Sequence, residues 1–193
     1  SRGLGDVYKR QSYRRAFPLV IKRVEGAVVE DVNGNSYIDF TSGLGFLPLG
    51  GNHPEIVKAI KDQLGESSFY NPAAAYHEKF LELAEELLRI APIRGDVRFI
   101  FCDSGGEAID LAIKAVKWHS GRRAILSFIG EYHGSIGESL TASTDLRSRR
   151  LLARISDVLY LPSIDCENCP LGLSSERCRA ECVEGMRSHV EAV

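Results

Sequence analysis

The most constraining feature of the sequence is a strand, helix and strand pattern between Val97 and Ile129. The apolar runs Val97–Cys102 and Ala124–Ile129 predict strands. Residues 107–120 predict a helix that ends at Gly121, and one of its sides carries Ala108, Leu111, Ala112, Ala115 and Val116. A unit of this length joins parallel strands, so the sequence predicts an α/β fold with a parallel sheet covered by helices.

The segment before this unit predicts a hairpin and two helices. Runs 27–32 and 35–40 flank Asn33-Gly34, a pair typical of a type I′ hairpin turn. The Gly-rich residues 41–52 predict a loop. Pro54 opens a helix that Gly65 can end, and a second amphipathic helix is predicted over 76–90. Residues 157–161 predict a further strand, and residues from Glu184 onward predict a helix that is still running at Val193.

Composition excludes several classes of protein. With 44% apolar and 26% charged residues, the chain can bury a core. The net charge of -2, without a strongly basic stretch, argues against a nucleic-acid partner. No apolar run reaches the roughly 20 residues that span a bilayer, and no secretory signal is present. We therefore expect a cytoplasmic protein that acts away from membranes.

The first residues differ from the rest of the chain. Residues 1–11 show neither helical nor strand periodicity and resemble a translated adapter remnant, so they are predicted to be a non-native leader. A natural flexible terminus is the alternative. The predicted organisation is then an N-terminal small-domain segment over residues 12–65, followed by the start of a large domain over residues 66–193.

A Gly-rich turn stands between the first predicted strand and its helix. Ser104-Gly105-Gly106 sits where backbone N–H groups at a helix start point towards an anion, and the helix dipole favours negative charge there. The turn predicts a phosphate cradle. The alternative is that the glycines serve only the turn or close packing of strand and helix.

An aromatic loop follows the next predicted strand. Tyr132-His133-Gly134 would lie beyond the carboxyl end of that strand, the edge at which open parallel sheets bind ligands. A phosphate cradle and an aromatic ring on neighbouring loops suit a flat phosphorylated heterocycle. Alternatively, Tyr132 packs at the sheet edge and His133 caps a loop.

Four blocks, in order, resemble the class III aminotransferases, which are fold-type I pyridoxal-phosphate enzymes. The blocks are the hairpin 26–40, the helix start 49–60 with Asn52-His53-Pro54, the phosphate loop 101–108, and the loop Gly130-Glu-Tyr-His-Gly134. The resemblance covers about residues 17–144. It implies a fold-type I architecture that combines the small-domain segment with the first part of the large parallel-sheet domain.

The resemblance also implies roles for individual residues. Gly105 and Gly106 would hold the phosphate of pyridoxal 5'-phosphate through backbone N–H groups. Tyr132 would stack on the pyridine ring with His133 beside it. Leu44 and Phe46 would wall the substrate site. Two departures concern the phosphate loop, because Gly106 replaces the usual Ser, Thr or Ala and Asp103 replaces the common Asn.

The implied activity is transfer of an amino group between an amino donor and a 2-oxo acid, by a homodimer. A racemase or decarboxylase on the same scaffold, or a non-catalytic metal-binding or partner-binding module, remains an alternative. In the family the Schiff-base lysine and the aspartate for the pyridine nitrogen follow the aromatic loop, and no matching segment occurs before Val193. The chain by itself is therefore expected to be inactive.

The cysteines form a separate cluster. Residues 166–182 contain Cys166-x2-Cys169 and Cys178-x3-Cys182, whereas Cys102 stands apart. This spacing suits Zn²⁺ or an iron–sulfur cluster, and it also allows free thiols or disulfides, so the sequence assigns no metal ligands. A Cys-x2-Cys-Pro segment at this place resembles some archaeal 4-aminobutyrate aminotransferases and broad-substrate amino acid racemases.

Overall fold

The computed structural model describes residues 19–71, 74–93, 95–144, 157–169, 171–174, 176 and 178–191. The predicted leader, residues 1–11, and the end of the chain at Val193 lie outside these ranges. The chain divides into two units, Ser1–Val97 and Arg98–Val193. The sequence-based boundary at residues 65 and 66 stays a prediction.

The first unit contains an antiparallel three-stranded sheet. Its strands β1 (Ile21–Glu25), β2 (Val28–Asp31) and β3 (Ser36–Ile38) follow one another in chain order. In the register of the predicted hairpin, Val28 pairs with Ile38 and Glu30 with Ser36. The hairpin is confirmed, and β1 is an additional strand that the sequence analysis did not predict.

The turn of this hairpin differs from the predicted type I′ form. Gly34 N donates to Asp31 O at 3.1 Å, and Asp31 N donates to Asn35 O at 3.0 Å, so three residues form the loop. Gly34 has a φ of +85° and is the one residue of this loop in the left-handed region. The Asp31 carboxylate explains the difference, because it accepts from Asn33 N at 2.8 Å and from Asn35 N at 2.9 Å.

The helices of the first unit are α1 (Ser42–Gly45), α2 (Pro54–Glu66) and α3 (Glu78–Ile90). The helix predicted to open at Pro54 is confirmed and ends one residue after Gly65. The helix predicted from Tyr76 begins two residues later, where His77 is the N-cap and its ring accepts from Lys79 N. The predicted loop 41–52 contains α1, and its Gly51 forms a bridge with Gly26, the residue that follows β1.

The second unit contains α4 (Gly105–Ser120), β4 (Ile125–Phe128), α5 (Gly137–Ala142), β5 (Val158–Leu161) and α6 (Glu181–Glu191). Strands β4 and β5 are parallel, with Ile125 opposite Val158 and Phe128 opposite Leu161. The parallel sheet and the strand predicted over 157–161 are thus confirmed. Helix α4 ends at Gly121 in the left-handed conformation, as predicted.

The predicted strand over Val97–Cys102 is absent. These residues carry no strand assignment, and Ile100 is exposed. A strand forms only when a neighbour accepts and donates backbone hydrogen bonds, and no described strand pairs with this segment. The α/β class therefore rests on β4, β5 and the helices around them.

Helix α5 lies at the centre of the second unit. It contacts α4 and β4, and residues 138–144 are all buried. The face that α4 turns inwards includes Gly106, Asp110, Ile113 and Lys117, whereas Val116 on the predicted apolar side is exposed. Among the helices of the described ranges, none has the length and hydrophobicity needed to cross a bilayer.

Candidate functional site

The start of α4 presents two backbone N–H groups that have no acceptor in the described part of the chain. Ser104 is the N-cap, and its Oγ accepts from Glu107 N at 3.2 Å. Glu107 reaches back, and its Oε2 accepts from Asp103 N at 2.9 Å. Within the described residues no acceptor takes Gly105 N or Gly106 N. Two free donors at the positive end of a 16-residue helix form a cradle that suits an anion.

The aromatic loop lies directly against this cradle. A Cβ built on Gly134 would stand 2.7 Å from Gly106 Cα and would also overlap the Ser139 side chain. Gly134 has a φ of +139°, a conformation that other residues rarely adopt. The contact between the two glycines therefore brings the loop that carries Tyr132 and His133 to the helix start.

Ser143 fixes the backbone of the aromatic loop. Its Oγ accepts from His133 N at 2.9 Å and from Gly134 N at 3.2 Å, and it lies 2.9 Å from Gly134 O, to which the hydroxyl can donate. Ser143 is almost completely buried. The Ser143 hydroxyl thus satisfies the N–H groups of two consecutive residues, His133 and Gly134, in a loop that belongs to no helix or strand.

Tyr132 projects from this fixed loop. Its side chain is 69% exposed, and its hydroxyl lies 3.0 Å from Ser135 Oγ. His133 is half-buried. An exposed ring on an anchored loop is free to cover a flat ligand whose phosphate occupies the neighbouring cradle.

Buried charge joins α4 to α5 behind the cradle. The Asp110 carboxylate accepts from Glu138 N at 2.6 Å and pairs with Lys114. The hydrogen bond from Lys114, followed by that from Glu138 N, lowers the pKa of Asp110 below its ordinary value. Lys117 and Glu138 form a second pair at 3.2 Å. Lys114 and Lys117, the two lysines of α4, are thus both engaged in ion pairs.

Leu44 and Phe46 lie in the first unit, in and just after α1. Both side chains are exposed, and Leu44 has a φ of +62°. The structure brings Gly105, Gly106, Tyr132 and His133 together in the second unit. The role of Leu44 and Phe46 at the substrate site stays a prediction.

Sequence reasoning missed the residues that support the site. Ser143, Ser139 and Asp110 are buried and hydrogen-bonded, yet none was singled out. Ser139 and Ser143 are spaced i and i+4 beside Gly134 and Gly137, a pattern of small residues that signals close packing. Asp110 follows the cradle within the predicted helix, and the available signal was a carboxylate between an isoleucine and a leucine.

Comparison with known proteins agrees with this geometry. The sequence profile of the family described as Aminotransferase class-III matches residues 8–192. The chain belongs to the class III aminotransferase family. The resemblance and the fold-type I class predicted from sequence are thereby confirmed.

Relatives of this class III family member include both racemases and aminotransferases. A leucine/methionine racemase of Thermococcus litoralis is 35% identical over 90% of this chain and 39% of its own length. The 5-aminovalerate aminotransferase DavT of Pseudomonas aeruginosa is 34% identical over 69% of this chain and 29% of its own length. The chain thus spans well under half the length of these relatives.

A solved relative shows the same fold. The taurine:2-oxoglutarate aminotransferase of Bifidobacterium kashiwanohense, solved in complex with PLP and glutamate, is 26% identical to this chain. The two structures align with a TM-score of 0.83, over 97% of this chain and 43% of that one.

Proposed function

We propose that the whole protein is a pyridoxal-phosphate-dependent aminotransferase that moves an amino group from an amino donor to a 2-oxo acid. The observation that carries this proposal is a pair of donors, Gly105 N and Gly106 N, that have no acceptor among the described residues, with Gly106 in contact with the loop that bears Tyr132. When bound, the cofactor would supply an electron sink for the bonds around the amino-bearing carbon.

The residues of this chain fit that cofactor through binding and orientation. Gly105 N and Gly106 N would donate to the phosphate, and the absence of a side chain at Gly105 leaves open space beside them. Tyr132 would cover the ring, and Ser143 would hold the Tyr132 loop in place. Lys114 and Lys117, already paired with carboxylates, are not proposed to bond to the cofactor.

Further parts of the proposal come from the family. They are a homodimeric assembly, a cytoplasmic location, and Leu44 and Phe46 as walls of the substrate site. Large exposed apolar side chains such as Phe40 and Trp118 support an assembly in which these surfaces are covered. Without such an assembly, these apolar side chains would remain exposed to water.

A second candidate function is amino acid racemisation. It is favoured by the racemase of Thermococcus litoralis, whose similarity extends over 90% of this chain. The two functions separate in one assay on the whole protein. A racemase removes the optical activity of one amino acid without a 2-oxo acid, whereas an aminotransferase needs the 2-oxo acid for continued turnover.

Substitution of Tyr132 tests the proposed site. Tyr132→Ala in the whole protein is expected to weaken pyridoxal-phosphate binding about 5- to 30-fold, or about 1–2 kcal/mol, because a stacked aromatic ring is lost. Tyr132→Phe keeps the ring, gives up only the contact with Ser135, and should bind almost normally. Equal affinity of wild type and Tyr132→Ala in a cofactor titration would show that the ring does not cover the ligand.

Gly106 offers a test in the opposite direction. A Cβ at this position would lie 3.4 Å from Gly134 Cα and 3.5 Å from Ser139 Oγ, which is ordinary contact, and Gly106 does not need a positive φ. Gly106→Ser therefore fits and adds a hydroxyl beside the phosphate. We expect at least about tenfold tighter cofactor binding, since a hydrogen bond to a charged group contributes about 1.5–3 kcal/mol.

Gly106→Ala is the matched control for this gain. It adds the same Cβ without a hydroxyl, so it should bind the cofactor like wild type. If the serine and alanine variants bound the cofactor with equal affinity in the same titration, the phosphate would not lie beside position 106.

A further inference from the structure

Four cysteines between β5 and the first turn of α6 line one small cavity. Cys166, Cys169, Cys178 and Cys182 surround a volume of about 30 Å³, together with Ile164, Asp165 and Leu173. All four are free thiols. About one water molecule or one metal ion fits in such a space, and both cysteine pairs of the sequence line it.

The local backbone also orders the second cysteine pair. Ala180 N donates to Cys178 Sγ at 3.3 Å, and Ala180 holds a φ of +64°, which is uncommon outside glycine. Cys182 lies in the first turn of α6. The start of α6 and the residues just before it therefore set the position of Cys178 and Cys182.

The loop around the first pair is also ordered by hydrogen bonds. Asp165 Oδ1 accepts from Glu167 N and Asn168 N, each at 3.0 Å. Gly172 N donates to Cys169 O at 2.9 Å. The turn therefore sets Cys166 and Cys169 on one side of the cavity by means of its own backbone.

We propose that Cys166, Cys169, Cys178 and Cys182 bind one Zn²⁺ as a four-thiolate structural site. Four sulfur ligands at about 2.3 Å form the tetrahedral shell that structural zinc prefers. Each thiol releases its proton on binding. The cavity as it stands matches a single ion.

The four thiols line the cavity, but their sulfur atoms are not arranged as the ligands of a metal ion. Within the described ranges, no group of three or more His, Cys, Asp and Glu side chains is arranged as metal ligands would be. Zinc binding would turn the four side chains inwards and connect the segment after β5 to α6. The inference concerns this segment alone and does not rest on the proposed aminotransferase function.

Metal analysis of the whole protein, purified anaerobically, tests the proposal. We expect about one zinc per chain, and replacement by Co²⁺ should give the intense absorption of a thiolate-bound tetrahedral ion. The double variant Cys169→Ser and Cys178→Ser should lose at least nine-tenths of the zinc. Cys102→Ser, which lies outside the cluster, is the matched control and should keep it.

The wild-type protein alone can overturn the proposal, so the test does not depend on folding of the variants. Zinc-free protein with disulfides among these cysteines, found by non-reducing peptide mapping, would contradict it. So would zinc-free protein with four reduced thiols, or an iron chromophore in place of zinc.

Discussion

Replacement of Gly134 by alanine is expected to destabilise the second unit and to weaken binding of pyridoxal phosphate at least tenfold. The added Cβ would stand 2.7 Å from Gly106 Cα, and the backbone φ of +139° is unfavourable for alanine. Overpacking costs about 1–3 kcal/mol and backbone strain a similar amount. The aromatic loop must therefore move away from the cradle, and the free energy of unfolding should fall by about 2–6 kcal/mol.

Gly185 provides the matched control for this substitution. It lies inside α6, and a Cβ there meets nothing within 4 Å. Gly185→Ala should be neutral or stabilise the helix by about 0.5–1 kcal/mol. Denaturant unfolding and cofactor titration of both variants compare the two glycines. Wild-type affinity in Gly134→Ala would contradict the close packing of loop and helix.

Loss of the Ser143 hydroxyl is the other change with a large expected effect. Ser143→Ala leaves the buried Gly134 N and the partly buried His133 N without their acceptor. Each unsatisfied group costs about 1–3 kcal/mol, so we expect a loss of about 2–4 kcal/mol in the free energy of unfolding. Cofactor affinity should fall as well, because the Tyr132 loop loses its anchor.

Ser36→Ala is the corresponding control, since Ser36 is an exposed residue of β3. A surface change of this kind should alter stability by less than about 0.5 kcal/mol. If Ser143→Ala unfolded at the same denaturant concentration as wild type, ordered water or a shifted loop would have replaced the hydroxyl.

Local signals in the sequence predicted the elements whose structure is locally determined. Asn33-Gly34 placed the hairpin, Pro54 opened α2, and Gly121 ended α4, because each residue restricts or permits its own backbone conformation. The turn type was wrong, since the Asp31 carboxylate binds Asn33 N and Asn35 N and thereby selects a three-residue loop.

Elements that depend on distant partners were harder to predict. Val97–Cys102 has the composition of a strand, yet strand formation depends on a neighbour that composition does not identify. Strand β1 was missed for the converse reason. Its sequence, Ile-Lys-Arg-Val-Glu, carries charged residues, and pairing with β2 organises it.

In the candidate site, too, locally determined features could be predicted and features that depend on distant contacts could not. The glycines of the cradle could be found in the sequence because a turn at a helix start needs them and an anion is attracted there. The residues that hold the loop, Ser143 and Asp110, act through contacts with segments distant in sequence. Only the fold brings those segments together, so the structure was needed to show the contacts that Gly134, Ser143 and Asp110 make.

The most direct test of the account is a crystal structure of the whole protein with pyridoxal phosphate. We predict phosphate oxygens within hydrogen-bond distance of Gly105 N and Gly106 N, and the ring of Tyr132 stacked over the pyridine. A phosphate held away from the start of α4, or a pyridine that the Tyr132 ring does not touch, would contradict the proposed site.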